Sequence, residues 1–282
     1  MISTPDFEIL SRPSPSDNVL IDNALIDNEW SGSRLSGNEP DRFARPMLVG
    51  FPFSGSGTAL FGNWRRHLPT GFSLAAAALP AREQRLGETP WSDMQAAADQ
   101  LAMSWQQSFP RDQVIIPVGF SIGAVLAFEV TRRLVDAGYA VPLLVVASRV
   151  GPDLETPRVG FADMDDETFL RVLSDEFNAI PPEIAANEEL RSLLLPALRG
   201  DLEMGETYRY HLDARLPCDV LAAHGSDDAS VRLQWLHGWS KVGQDFRART
   251  FAGGHFFVRD QLKAFLSTVA VRYRAATQAA VA

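Results

Sequence analysis

The chain of 282 residues is long enough for one large domain or two small ones, and its 46% apolar residues, with 17 Phe and 6 Trp, supply a sizeable core and exclude global disorder. A formal net charge of −9, from 35 acidic against 26 basic residues, disfavours a general nucleic-acid-binding surface. No run reaches the ~18 to 20 apolar residues that cross a bilayer, the start MISTPDFEIL has no basic cluster or apolar h-region, and the lone Cys218 can form no internal disulfide, so a soluble cytoplasmic protein is expected.

Residues 1–44, rich in Ser, Pro, Asp, Asn and Gly, read as a flexible N-terminal extension. They carry a small echo, Leu20-Ile21-Asp22-Asn23 followed by Leu25-Ile26-Asp27-Asn28, which is too short to establish a repeat. From Pro46 short β-rich apolar runs alternate with longer stretches of helical period, the pattern of an α/β fold with a mostly parallel central sheet flanked by helices. Strands are expected at Met47 to Phe53, Phe72 to Ala77, Val114 to Phe120, Leu143 to Ser148, Val220 to His224 and Arg247 to Phe251. The clearest helices are Trp91 to Phe109, Ile122 to Ala137 with Gly138 as its stop, Leu233 to Val242, and Val258 to about Thr277. The interval 153–216 offers no good strand and several helical stretches punctuated by Pro157, Pro181, Pro182, Pro196 and Gly200. It reads as an inserted helical lid between a first core part, 45–152, and a second, 217–282. In open parallel sheets catalytic groups collect at the carboxyl edge, which such a lid would cover.

The strongest chemical signal is Gly119-Phe120-Ser121-Ile122-Gly123, between the apolar run from Val114 and the helical segment that follows. A bare GxSxG is common by chance, and strand before with helix after is the context that makes it a nucleophile elbow. Ser121 is the expected nucleophile, and the Ile122 amide, at the start of a helix, is placed to stabilise negative charge on a substrate oxygen. A serine hydroxyl needs a base, itself oriented by an acid, and the expected chain order is Ser, acid, His. Of the histidines after Ser121, only His255 lies in a loop beyond the last strand, in Gly253-Gly254-His255, so it is the base of choice. His224 reads as structural, and His67, His211 and His237 are set aside as candidates for the base. The acid belongs in Gly225-Ser226-Asp227-Asp228, where Asp228 is preferred and Asp227 is left to cap the next helix. A second oxyanion donor is expected from the turn Phe53-Ser54-Gly55-Ser56-Gly57, through the amide of Ser54 or, less favoured, of Phe53. No lysine follows these glycines as a phosphate-binding loop requires, and no spaced GxGxxG or His/Cys/carboxylate cluster stands out, so neither cofactor nor metal is expected.

Beyond the elbow, a series of motifs accompanies this reading. Phe51-Pro52-Phe53-Ser54-Gly55, Trp64 with Leu68-Pro69, Leu79-Pro80-Ala81-Arg82-Glu83-Gln84-Arg85, Ser148-Arg149-Val150-Gly151-Pro152, Leu194 to Asp201, Tyr208 and Gly253 to Phe257 together resemble the type II thioesterases of nonribosomal peptide and polyketide synthesis, from Pro46 to about Ala270. Phe120 stands where the family more often has His, Ile122 where it has Met, and Ala81 where it has Gly; Ser54 and Ser56 alter the first glycine-rich turn. The resemblance implies the α/β-hydrolase fold and hydrolysis of acyl thioesters held on the phosphopantetheine arm of an acyl or peptidyl carrier domain. The residues beside Ser121 would then shape the acyl pocket, and a monomer is favoured. Arg191 and Arg199, in an otherwise acidic chain, are expected to receive the carrier. Cyclising or acyl-transferring release through the same acyl-Ser121 is the nearest rival; a carboxylesterase and a non-catalytic carrier-binding module stand further off.

Overall fold

The computed structural model describes residues 6–11, 45–154, 159–177, 187–211 and 215–279. Seven strands form one sheet: β1 (Phe7–Ser11), β2 (Met47–Phe51), β3 (Ser73–Ala77), β4 (Ile115–Phe120), β5 (Leu143–Ala147), β6 (Asp219–Gly225) and β7 (Phe246–Phe251), in the spatial order β1-β3-β2-β4-β5-β6-β7. Every neighbouring pair is parallel except β1 with β3. The six strands expected from the sequence are present with ends shifted by one or two residues. α1 (Met94–Ser108), α2 (Ile122–Asp136) and α5 (Val258–Ala279) flank the sheet, while α3 (Asp166–Phe177) and α4 (Glu188–Thr207) occupy the interval expected to be a lid. The stretch Leu233–Lys241, expected as an α-helix, is wound as 3-10 turns.

Alternation along the strands divides the core. Val49 and Phe51, Leu144 and Val146, and Val220 and Ala222 face α1 and α2, whereas Leu48, Ile116 and Val118, Val145 and Leu221 face α5. This is the period-2 consequence of a sheet buried on both faces, and it reads in sequence as continuous apolar runs.

The N-terminal extension departs from expectation at its beginning. Residues 7–11 pair antiparallel with β3, Phe7 is buried edge-on against Trp105, and the nearly inaccessible Asp6 receives Arg85 at 2.7 Å and Gln100 at 3.0 Å. An ion pair and one aromatic anchor therefore fix a segment whose composition reads as loop. The echo at residues 20–28 lies outside the described residues, as do Pro157, Pro181 and Pro182.

Neither Pro196 nor Gly200 ends a helix, because α4 runs through both. Gly200 marks a close approach instead: a Cβ there would lie 2.6 Å from the carbonyl oxygen of Trp91. One residue on, Asp201 is gripped by both terminal nitrogens of Arg82 at 2.7 and 2.8 Å, with 5% and 3% of the two side chains exposed. The same carboxylate accepts the Gly55 amide at 2.8 Å. Three segments far apart in sequence, the β2 turn, the loop after β3 and α4, are thus tied at one buried point. Arg199 likewise works within the lid: it donates to the Phe161 carbonyl at 2.9 Å and to Asp166 at 2.7 Å, and lies 4.3 Å over the Phe169 ring. The expectation that it meets a carrier is corrected accordingly, since its charge and flat face are used to hold α3 against α4.

Breaking a buried ion pair from one side strands the other charge and typically costs about 3–5 kcal/mol. Asp201→Ala should therefore lower the stability in denaturant melts by that order, and replacing Arg82 and Asp201 together by apolar residues should recover part of the loss.

Candidate active site

The elbow is visible in the backbone. Ser121 has φ +54° and ψ −120°, between β4 and α2. Such a conformation is strained for a residue with a side chain and persists only where its surroundings enforce it. Here they do: a Cβ at Gly119 would lie 2.2 Å from the Gly123 carbonyl oxygen, and one at Gly123 would lie 2.3 Å from that of Pro52. Both glycines of the motif are therefore needed for space, and the second brings the β2 turn against the start of α2. The Ser121 amide donates to the Ala147 carbonyl at 2.8 Å, which locks the elbow to the end of β5.

Asp228 and His255 meet at the same sheet edge. His255 Nδ1 lies 2.8 Å from Asp228 Oδ2, and because an ionised carboxylate only accepts, Nδ1 carries the proton and Nε2 is left as the acceptor. The other Asp228 oxygen accepts from the Ser230 amide at 2.9 Å and its hydroxyl at 2.6 Å. Burial alone would raise the Asp228 carboxyl, but the hydrogen bond and charge of His255 and the two bonds from Ser230 outweigh it and hold the group below the usual carboxylate range. The His255 loop is fixed by its backbone as well: Ser148 donates its hydroxyl to the His255 carbonyl at 2.7 Å, and the Asp227 amide donates to Gly253 at 2.9 Å. Since Ser148 directly follows Ala147, these bonds bring the His255 backbone beside the elbow.

Asp227 is exposed and accepts only from its neighbour Ser226, at 3.2 Å. It does not cap the 3-10 segment, whose N-cap is Arg232, so that expectation fails. His224 spends both ring nitrogens within the fold, at 3.0 Å from the Val231 carbonyl and 2.9 Å from Thr250 Oγ1. His67, His211 and His237 are exposed. Cys218 is buried, and burial with the nearby charge of Asp219 pushes its thiol up to about 12, so it is no rival nucleophile.

Among the described residues the amides of Phe53, Ser54 and Ile122 donate no hydrogen bond, whereas that of Gly55 is taken by Asp201. Phe53 stacks on Phe120 with centroids 5.1 Å apart and meets the His255 ring at 5.8 Å. Phe120 itself is wholly buried among Trp64 and Phe265, so this neighbour of the nucleophile supports the site from the core instead of lining it. Ser230, Ser148 and the Arg82–Asp201 pair were not assigned roles from the sequence. Only the short step from Asp228 to Ser230, where a carboxylate accepts from a near backbone amide, carries a local signal. Among the described residues no group of three His, Cys, Asp or Glu side chains is placed to hold a metal ion, and no helix is long and apolar enough to cross a membrane.

Comparison with known proteins agrees with this geometry. The family model of the thioesterase domain matches residues 46–272. The gramicidin S biosynthesis protein GrsT of Aneurinibacillus migulanus is 28% identical over 220 residues, covering 76% of this chain and 84% of that one. The antimetabolite synthetase AmbE of Pseudomonas aeruginosa is 32% identical over 217 residues, of which this chain spans only 10% of the length. The solved structure of BorB, a type II thioesterase from the borrelidin biosynthetic cluster, superimposes with a TM-score of 0.76 at 27% identity, covering 95% of this chain and 98% of that one. The chain belongs to the thioesterase domain family, with the α/β-hydrolase fold, and is a serine hydrolase of thioester bonds similar over most of its length to type II thioesterases.

Proposed function

We propose that this thioesterase hydrolyses acyl groups carried on the phosphopantetheine arm of an acyl or peptidyl carrier domain in nonribosomal peptide or polyketide assembly, through an acyl-Ser121 intermediate. The observation that carries the reading is the Asp228–His255 hydrogen bond, 2.8 Å long, formed at the edge where Ser121 is held in a strained turn. In this reading His255 Nε2 takes the Ser121 proton as the hydroxyl attacks the thioester carbonyl. Asp228 stays ionised, fixes the ring and stabilises the imidazolium. The amides of Ile122 and Ser54 receive the oxyanion. The departing thiolate, with an intrinsic pKa of about 8.5, leaves readily and takes the proton from His255. Water, deprotonated by the same nitrogen, then attacks the acyl-serine and releases the acid. The enzyme needs no cofactor of its own, because phosphopantetheine arrives with the substrate, and the cytoplasm is the compartment in which such carriers are loaded.

The carrier would dock against the outer surface of α4, where Leu190 and Leu193 are each 41% exposed beside Arg191. With Arg199 committed to the lid, Arg191 is the remaining basic contact of the expected pair. Arg191→Glu should lower turnover of carrier-bound thioesters several-fold while leaving small-molecule thioesters unchanged; equal turnover of both would remove this docking surface.

Ser121→Ala should lower kcat by roughly 10⁴ to 10⁶ with acyl carriers, by comparison with other serine triads. Mass spectrometry of what is released decides the chemistry: free acid is expected, and a cyclic or amide product would assign the enzyme to transfer instead. The depressed Asp228 pKa also contributes to folding. A folded-state value below the unfolded one stabilises the protein above the unfolded pKa of about 4, and that contribution fades as pH falls through the folded value. The difference in melting temperature between wild type and Asp228→Asn should accordingly shrink on acidification below about pH 4.

A further inference from the structure

In a chain with 35 acidic residues, the stretches 58–72 and 261–279 carry none. The fold brings them together. The 3-10 segment Thr58–Arg66 and the loop after it border one face of α5, where Lys263, Ser267, Ala270, Val271 and Arg274 recur at helical spacing, and a cavity of about 450 Å³ lies between. Its walls carry Arg66, Lys263 and Arg274, with His67 beside them and no carboxylate. Among the described residues none of these three cations forms an ion pair or a side-chain hydrogen bond. All three are exposed, as is Val271 at 66%, and Leu68 and Pro69 extend the apolar part of the lining. Asp260, the one carboxylate of α5, stands a turn before Lys263 and outside the cavity. Cations gathered without anions attract acidic groups, and at physiological ionic strength that attraction acts within about 8 Å.

The two ends of residues 12–44 flank this groove. β1 runs antiparallel to β3, so Ser11 lies beside Leu74 at the amino edge of the sheet. The chain returns through Pro46, whose carbonyl accepts the Ser73 amide at 3.0 Å. Both points adjoin Phe72, whose ring meets Tyr273 of α5 at 5.5 Å and whose amide donates to Pro69 of the groove at 3.1 Å. Leu10 packs on the same apolar cluster as Leu68 and Tyr273. The six residues from Arg12 to Asp17 can extend about 20 Å, against the 5.5 Å that separates the Phe72 and Tyr273 rings. The sequence that follows is complementary in character. From Pro13 to Ser33 there are four acids, Asp17, Asp22, Asp27 and Glu29, no lysine or arginine, and the echoed Leu-Ile-Asp-Asn of residues 20–23 and 25–28.

We propose that the groove between residues 66–69 and α5 is the docking site of this chain's own acidic segment, Asp17 to Glu29, with its carboxylates against Arg66, Lys263 and Arg274 and its leucines and isoleucines on Val271 and Leu68. Exposed ion pairs are individually weak. Here the segment is tethered on both sides beside its site, so docking is intramolecular, and an effective concentration of about millimolar makes weak contacts sufficient. A free phosphate would use the charge and leave the apolar lining unused. A second copy of the chain would have to displace a segment that is already attached. The groove lies toward the amino edge, away from the edge where Asp228 meets His255, so this contact is separate from thioester chemistry.

The chain has two lysines, Lys241 and Lys263, which makes the test direct. In the full-length protein a carbodiimide joins a lysine, without a spacer, to a carboxylate that touches it. Lys241, paired with Asp153, should link to that residue and serves as the control. Lys263 should link to Asp17, Asp22, Asp27 or Glu29 of the same chain, as read by peptide mapping of mixed isotope-labelled and unlabelled protein. The yield should fall at about 1 M salt, where charges act only within about 3 Å. Amide hydrogen exchange supplies a second readout. Lys263→Glu with Arg274→Glu should speed exchange across residues 17–29 several-fold, Asp22→Lys with Asp27→Lys should do the same, and the four substitutions together should restore most of the protection. A Lys241 link with none from Lys263 to this segment would overturn the proposal. Links formed only between differently labelled chains would also overturn it and assign the groove to a second copy. Exchange that the charge reversals leave unchanged, or that the fourfold variant fails to restore, would overturn it as well.

Discussion

The site depends on one backbone turn. At Ser121 the chain leaves a central strand and enters a helix with φ +54°, a conformation that neighbouring backbone must impose. The imposition comes from the absence of side chains at Gly119 and Gly123, which lets α2 lie against β4 and the β2 turn lie against α2. On the proposed reading, Ser121 then stands at the carboxyl edge as the nucleophile, with amides of the helix N-terminus and of the β2 turn to receive the oxyanion. Parallel pairing then determines what else can reach this edge. The loops after β5, β6 and β7 open on the same side, and they deliver Ser148, Asp228 with Ser230, and His255.

Around the turn the fold spends its buried polar groups on position. Asp201 and Arg82 tie the roof to the β2 turn, Ser148 fixes the base through its carbonyl, and Ser230 satisfies the outer oxygen of the acid. Each of these pairs is closed by hydrogen bonds, so the desolvation cost of burying it is compensated.

Sequence legibility followed the range of the interactions. Strands β2 to β7 were readable because a sheet covered on both faces demands apolar runs, and the meeting of Asp228 with His255 at one edge because strand-to-loop order restricts where each can stand. β1 was not readable: its hold comes from Asp6 meeting Arg85 and Phe7 meeting Trp105, partners some eighty to a hundred positions away. Pro196 and Gly200 misled for a related reason. Local propensity marks them as helix breaks, yet tertiary packing of Gly200 on Trp91 and of Asp201 on Arg82 carries α4 through. Arg199 shows that an arginine in an acidic chain is identified by what its flat face touches, here Phe169, and not by net charge.

The central claim is that the hydroxyl of Ser121 is the activated nucleophile. A serine-reactive fluorophosphonate, followed by intact-mass measurement and peptide mapping against remaining thioester turnover, tests it most directly. One adduct per chain on the peptide carrying Ser121, with activity lost in proportion, is the expected result. An adduct at another residue, or full turnover by a completely labelled enzyme, would contradict the account.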